Sequence, residues 1–331
     1  MEPIHILQIL PMYHKDGEHV LSKNAKVTKF DTFDEEEIIS FLKNNKVDGI
    51  TLRAPARITP EILDACEGVK AISGAGVGLD NIDVEYATKK EIPILHAPKV
   101  NTVATAEHAV GLILAVMKNI VKFNKEMEKG NYSYRDGKYT KELKGKKLGL
   151  VGFGSISQEV AKIMKNGFNM EVLAYVRRIP EERKIAAEEI GVELTMNIEE
   201  VFRECNVISL HIPLNDKTDG IINKTYFDMM KPEAVLINTA RGGIINEEDL
   251  AAALENNQFY GAGADVFRKE PAPADHPFLN VEEITKTPHV GGISQEAAQQ
   301  MSVTVATNLL KAVDGEKLPT IANWDELSKN K

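Results

Sequence analysis

Only two cysteines, Cys66 and Cys205, occur in a chain of 331 residues. They match neither a CxxC pair nor any metal-ligand spacing. Disulfide scaffolds, zinc ribbons and dithiol redox motifs are thereby excluded; no metal is expected, and both residues read as reduced core cysteines of a cytoplasmic protein. An excess of positive charge is also lacking. Forty Lys and Arg face 49 Asp and Glu, for a net charge of −9, so the basic face that nucleic acid or an anionic membrane requires is not expected. Long apolar runs are missing too. The longest, "AVGLILAVM" (109–117), is too short for a hydrocarbon core of about 30 Å. The N-terminus, "MEPIHILQILPMYHKDG", lacks a basic n-region and its apolar run stops at Pro11, so no signal peptide is expected. What remains is an ordinary globular composition, 43% apolar, at a length that suits two domains with separate cores.

Two series of alternating strand and helix patterns run along the chain. In residues 4–98, strand-like runs ("IHILQIL", "DGITL", "VKAIS", "IPILHA") alternate with helical stretches. "DEEEIISFLKNN" has Asp34 as N-cap, and "TPEILDAC" has Thr59 as cap with Pro60 at the first helical position. This rhythm implies a parallel α/β domain. One long helical pattern then covers Thr102 to about Lys129. Its first half is apolar nearly all round, which predicts burial on several sides, between domains or between subunits; a homodimer is expected on that ground. A second series starts at Lys147 with "LGLVGFG", "EVLAYV", "NVISLHI", "AVLINTA" and "YGAGADVF". A last helix, 294–315, is followed by no strand, so the chain is expected to return near Pro288 and complete the first domain.

"LGLVGFGSISQEVAKIM" reads as strand, glycine turn and helix. Gly152 permits a tight turn. Gly154 lets the backbone approach a pyrophosphate at the helix N-terminus, where free N–H groups and the helix dipole attract anions. The third fingerprint position is Ser157 rather than glycine, small enough for helix–strand contact. The next strand, "EVLAYV", supplies the specificity signal. A nucleotide site selective for NAD has Asp or Glu at this strand end, bonding the ribose hydroxyls. Here Val176 stands there, followed by Arg177 and Arg178. Two guanidiniums suit a 2′-phosphate, so NADP(H) is the expected cofactor, with NAD the alternative if both arginines are merely solvated.

Three later strand ends carry groups suited to carbonyl reduction. "LINTARGG" places Arg241, "GAGADVFRKEP" places Asp265 and Glu270, and "TPHVGG" places His289. Ligands bind outside the carboxyl ends of strands in open α/β sheets, so these residues are expected in one crevice. Arg241 can hold a carboxylate and polarise a ketone. Protonated His289 can donate to the carbonyl oxygen, and Glu270 can orient the imidazole and raise its pKa.

The segments "GKKLGLVGFGSI", "HIPLNDKTDGIIN", "INTARGGIINEEDLAAAL", "ADVFRKEP" and "TPHVGG" together resemble the D-isomer-specific 2-hydroxyacid dehydrogenase family over essentially the whole chain. The resemblance implies two doubly wound parallel-sheet α/β domains. A Rossmann nucleotide-binding domain (102–291) is inserted in a flavodoxin-like substrate domain (1–101 and 292–331). It implies Arg241, Glu270 and His289 as catalytic residues and Asp265 as the carboxamide-binding acid. Ser155, Ile156, Pro213, Thr218 and Thr239 become nucleotide contacts, with Val103 and His211 completing the candidate set. D-stereochemistry is implied by the resemblance alone. The family's usual acidic residue falls on Val176, where this sequence departs.

The resemblance also places a carboxylate-binding loop on "ISGAGVGLDNID", where the amides of Val77, Gly78 and Leu79 can form a nest for the substrate carboxylate. Arg53 is expected to add positive charge. The branch implied is glyoxylate/hydroxypyruvate reductase or phosphoglycerate dehydrogenase, without the latter's extra C-terminal domains. Small 2-keto or 2-hydroxy acids are the expected substrates, bound in a hinged cleft that closes to exclude water. An NAD-dependent D-3-phosphoglycerate dehydrogenase and a nucleotide-sensing, corepressor-like binding protein are the alternatives. Formate dehydrogenase, which shares the fold, lacks the glutamate partner that Glu270 provides.

Overall fold

The computed structural model describes residues 3–329. The chain divides into two compact units. One runs through Asn101 and resumes at Ile293; the other is Thr102–Gly292.

The first unit holds strands β1 His5–Ile9, β2 Lys26–Phe30, β3 Gly49–Leu52, β4 Ala71–Gly74 and β5 Ile94–Leu95. All pair in parallel, in the order β2-β1-β3-β4-β5. This is the doubly wound flavodoxin order. β1, β3, β4 and β5 are buried at every residue, as expected of parallel strands covered on both faces. β2 is the exception: "KVTKF" is an edge strand with no buried residue, and its polar composition hid it from the sequence reading. Asp34 and Thr59 cap their helices as expected, accepting from the amides of Glu37 and Ile62. The helix Gln295–Val313, capped by Ser294, belongs to this unit because its Ala306, Leu309 and Val313 share a core with Ile6, Leu21, Ala71 and Leu95. It crosses the helix Lys15–Asn24 at Gly17, where a Cβ would lie 2.5 Å from the Ser302 carbonyl oxygen. No larger residue fits that crossing.

The second unit has seven parallel strands: β6 Lys147–Val151, β7 Glu171–Tyr175, β8 Glu193–Thr195, β9 Val207–Leu210, β10 Val235–Asn238, β11 Gly261–Ala264 and β12 Ile284–Lys286. Their order is β12-β11-β10-β9-β6-β7-β8. The chain winds outward from β6 in one direction, then returns to β9 on its other side. That reversal makes a topological switch point beside the β6 turn. β8, short and unburied, is a second edge strand without a sequence signal.

The single long helix expected over Thr102 to Lys129 is two helices, Thr102–Met117 and Ile120–Glu128, bent by 62°. Asn119 makes the break. It adopts the left-handed conformation, φ 51°, which asparagine tolerates better than most residues, and its Nδ2 donates to Tyr260 Oη at 2.7 Å. The apolarity of the first helix also has a different cause from the one expected. Ala106, Ala109, Leu112, Ile113 and Met117 pack with Leu148, Leu150, Val235 and Ile237 inside their own unit, so a partner subunit is not needed to cover them. Among the described residues no single helix is long and apolar enough to cross a membrane.

Candidate active site

The glycine turn follows β6. Gly152 has φ +103°, and a Cβ there would lie 2.4 Å from the His211 carbonyl oxygen. The turn therefore requires glycine both for its backbone conformation and for the close approach of the β9 segment. Gly154 is different. Nothing lies within 4 Å of where its Cβ would be, so packing does not explain it. It forms the N-cap of the helix Ser155–Phe168 and offers no side-chain cap, which leaves the first-turn amides, including Ser155 and Ile156, without a side-chain acceptor. The open space above Gly154 fits the approach of an anionic group. Ser157, the fingerprint departure, is fully buried and donates its hydroxyl to the Gly152 carbonyl at 2.6 Å. It is small enough for the helix to sit on the strand, and it satisfies its own polar atom.

β7 is followed by buried Val176 and then by exposed Arg177 and Arg178, whose guanidinium groups have no hydrogen-bond or ion-pair partner among the described residues. On the other side of the switch point, His211 bonds Ser209 Oγ through Nε2 at 2.9 Å. Burial pushes its pKa down to about 4, so it is neutral near pH 7. Thr218 closes the loop after β9, donating to the Pro213 carbonyl at 2.7 Å while accepting from the Asn215 amide. Thr239, just past β10, is buried with its Oγ1 unpartnered. A buried hydroxyl left alone costs about 1–3 kcal/mol, an expense that a hydrogen-bonding ligand would relieve. Val103 is exposed at the start of its helix.

The remaining groups sit at the carboxyl ends of β10, β11 and β12. After β10 the chain turns through Arg241, and the turn is held by Asn238, whose Nδ2 donates to the Arg241 carbonyl and whose Oδ1 accepts from the Ala240 amide. Gly242 then passes so close to the next loop that a Cβ would lie 1.9 Å from the Phe267 carbonyl carbon. Arg241 Nη1 donates to the Ala240 carbonyl at 2.7 Å.

Asp265, past β11, is 2% exposed, yet it is ionised. Burial alone would raise its pKa; hydrogen bonds from His108, Thr287 and the amides of Val290 and Gly291 outweigh it and hold the carboxyl below its ordinary range. Oδ1 accepts from Thr287 Oγ1 at 2.6 Å and the Val290 amide at 2.9 Å, and Oδ2 from the Gly291 amide at 2.8 Å. His108 Nε2 lies 3.0 Å from Thr287 Oγ1. The Asp265 carbonyl also accepts from the His289 amide at 2.7 Å. These bonds hold His289 at φ +54°, a conformation rare for a non-glycine residue and common where function demands it.

His289 Nδ1 and Glu270 Oε2 are 2.6 Å apart, and Glu270 Oε1 accepts from the Phe267 amide at 3.0 Å. The hydrogen bond to Glu270 raises the His289 pKa. Burial opposes this, the Glu270 and Asp265 charges add to it, and the Arg241 charge lowers it. Burial would raise Glu270; its bonds to His289 and Phe267 and the charges of His289 and Arg241 pull it down. The pair therefore favours carboxylate with imidazolium. With Nδ1 engaged, Nε2 has no partner among the described residues. The imidazole is 48% exposed, so that nitrogen is available to a ligand.

Sequence reasoning named Arg241, Asp265, Glu270 and His289, and this unit brings them together. It missed Asn238, Gly242, Thr287 and His108. The glycine pair after Arg241 was the available signal for Gly242; Asn238 bonds only backbone groups, and Thr287 and His108 act on Asp265, which lies far from both in sequence. Among the described residues no group of His, Cys, Asp and Glu is arranged to hold a metal.

In the first unit the amides of Val77, Gly78 and Leu79 donate no hydrogen bond among the described residues, which leaves three donors at one loop. His96 Nδ1 reaches the Val77 carbonyl at 3.2 Å. Arg53 is partly spent: Nε donates to the Pro11 carbonyl, Nη1 to the Ala54 carbonyl, and its guanidinium lies over the Tyr13 ring.

Residues 110–291 match the model of the D-isomer specific 2-hydroxyacid dehydrogenase, NAD binding domain. The chain belongs to the D-isomer specific 2-hydroxyacid dehydrogenase family. It is 35% identical to a D-3-phosphoglycerate dehydrogenase of Methanocaldococcus jannaschii over 96% of this chain and 59% of that protein. With a glyoxylate reductase of Thermococcus litoralis it shares 37% identity over 87% of each chain. The crystal structure of a glyoxylate reductase from Paecilomyes thermophila superposes with a TM-score of 0.86 at 27% identity, covering 98% of this chain and 100% of that one. The chain spans between 50% and 59% of the length of the first two phosphoglycerate dehydrogenases it matches.

Proposed function

We propose that the chain reduces a small 2-keto acid to the D-2-hydroxy acid with NADPH. The observation that carries this reading is the Glu270–His289 pair, whose imidazole is biased toward its protonated form and keeps Nε2 free. Arg241 lies near enough to both for its charge to act on each.

The residues present fit a nicotinamide nucleotide: the open space above Gly154, the uncapped amides of Ser155 and Ile156, and the buried unpartnered hydroxyl of Thr239. Once bound, such a nucleotide supplies the hydride. Arg241 binds the substrate carboxylate and polarises the carbonyl oxygen. His289 Nε2–H donates the proton to that oxygen, and Glu270 keeps the ring oriented and stabilises its cationic form beforehand. Asp265 holds His289 through its three bonds into the 287–291 turn, and its Oδ2, which accepts from the Gly291 amide, keeps a lone pair for the carboxamide of the nucleotide. The free amides of Val77, Gly78 and Leu79 supply donors for a carboxylate.

Arg177 and Arg178 support the choice of NADPH: Val176 stands where a carboxylate would otherwise select NAD, and two exposed guanidiniums without a partner among the described residues follow it. Comparison of kcat/KM for NADPH and NADH tests it. NADPH is expected to be preferred. Replacing both arginines with alanine should remove about 10–100-fold of that preference, the equivalent of one charge-assisted hydrogen bond or a little more. A preference for NADH in the parent protein would overturn the assignment.

A homodimer is proposed on a surface different from the one the sequence suggested. The helix Ile120–Glu128 buries none of its residues, and Ile120, Val121, Met127, Tyr132 and Tyr139 are exposed on and after it. Apolar residues concentrated in one segment suit a subunit contact. Sedimentation velocity is expected to give a dimer, and Met127→Glu with Ile120→Glu to give a monomer.

A further inference from the structure

Behind the loop that carries Glu270 lies a second acid–histidine pair, which is buried. Glu247 and His276 are 5% and 4% exposed, and His276 Nε2 meets Glu247 Oε2 at 3.0 Å. The tautomer follows from the ring's other partner. Nδ1 accepts from the Phe278 amide at 3.2 Å, so the proton resides on Nε2 and is donated to Glu247.

Glu247 spends its second oxygen on the Arg268 amide, at 2.8 Å. The amide immediately before it, that of Phe267, donates to Glu270 Oε1. Two consecutive backbone N–H groups thus run from the buried carboxylate to the carboxylate that grips His289. Gly242 also lies against the same stretch, and the His276 ring packs edge-on against Phe267 and Phe278, with centroids 5.1 and 4.9 Å away. The Arg268 side chain adds a further tie, reaching the Gly243 carbonyl and Asp219. An acid in a helix's first turn is ordinarily left in solvent, where the dipole alone favours it. Burying one is costly unless every lone pair finds a donor. Glu247 is buried toward the 267–276 loop, and each of its oxygens holds one end of that loop.

We propose that Glu247 and His276 form a positioning pair that sets where Glu270 stands relative to His289, and thereby the pH range over which His289 keeps its proton. This inference rests on the roles proposed above for Glu270 and His289. The charged groups around His289 are Glu270, Asp265 and Arg241; the buried pair acts on the first of these alone, through the 267–268 backbone.

The two bonds of His276 can be separated by substitution. His276→Asn keeps an acceptor for the Phe278 amide and loses the donor to Glu247, whereas His276→Gln keeps a donor that reaches Glu247. The readout is the pH titration of the His289 imidazole by NMR, assigned by its loss in His289→Asn, in the whole chain without substrate. In His276→Asn the His289 pKa is expected to fall toward the ordinary value of about 6.5, and in His276→Gln to return toward that of the parent. In steady-state reduction the Asn variant should lose about tenfold or more in kcat, as expected of a small misplacement of a reacting group, while KM for the nucleotide holds. Glu247→Gln, isosteric but unable to accept from both donors without turning an NH2 group on one of them, should lower the His289 pKa likewise and serves if the Asn variant does not fold. An Asn variant that titrates as the parent does, or a Gln variant shifted as far as the Asn variant, would overturn the proposal. Absence of turnover in the parent protein would instead count against the proposed function, and the titration would still decide the role of the pair.

Discussion

Glu270 Oε2 stands 2.6 Å from His289 Nδ1, and that one contact leaves the imidazole with a free Nε2 and a raised pKa. Two separate devices hold the contact. Asp265 gathers Thr287 and the amides of Val290 and Gly291, which fixes the turn bearing His289. The Phe267 amide fixes Glu270 from the other side. A general acid needs an oriented ring biased toward its charged form; the Glu270 contact orients this one and shifts its pKa in that direction.

Glu270→Gln is expected to move the pH profile of reduction downward. Reduction requires protonated His289, so the rate falls as pH rises through its pKa, and in the parent protein that pKa lies above the ordinary value. Removing the carboxylate lets the proton leave earlier. The measurement is kcat/KM for keto-acid reduction from about pH 5 to 8; an unchanged profile would remove Glu270 from this role.

Asp265→Asn is expected to destabilise the fold and depress activity together. An amide has one oxygen where the carboxylate has two, so at least one of the donors, the Gly291 amide or the group at Oδ1, is stranded, and a loss of about 1–3 kcal/mol for each should lower the denaturation midpoint without changing the m-value. The pH dependence has a definite sign. Because the folded-state pKa of Asp265 is depressed, its contribution is present above the unfolded value of about 3.9 and is lost as pH falls through the folded one. The stability difference between parent and variant should therefore shrink in acid.

Gly242→Ala is expected to be more harmful than its one added carbon suggests. The new Cβ would occupy a point 1.9 Å from the Phe267 carbonyl carbon, which forces the Arg241 turn and the Glu270 loop apart. Destabilisation of at least about 3 kcal/mol, the upper end of ordinary overpacking, should appear as a lowered denaturation midpoint. Alanine at Gly154, where no protein atom is near, should leave that midpoint almost unchanged and weaken nucleotide binding instead.

Much of this was legible in the sequence because buried parallel strands are written as continuous apolar runs: β1, β6, β9 and β10 announce themselves. Edge strands β2 and β8 do not, since neither buries a residue and nothing selects an apolar pattern there. The break at Asn119 was hidden for another reason. Its cause is a backbone conformation tied to a side chain 141 positions away, at Tyr260, which no local period encodes. Site residues that bear the expected chemistry, Arg241, Glu270 and His289, were recognisable by type and place. Residues that hold them, such as Asn238, Thr287 and Glu247, act through backbone groups or, for Thr287, through the Asp265 carboxylate, and their importance arises only once the loops meet.

Whether His289 gives the proton to a keto acid is decided by following nucleotide oxidation with a panel of 2-keto acids, for the parent protein and for His289→Asn. NADPH-dependent turnover of at least one small 2-keto acid is expected, reduced about 10²–10⁴-fold by the substitution, the range for losing a general acid. Nucleotide binding without turnover of any keto acid, or a His289→Asn variant as active as the parent, would contradict it.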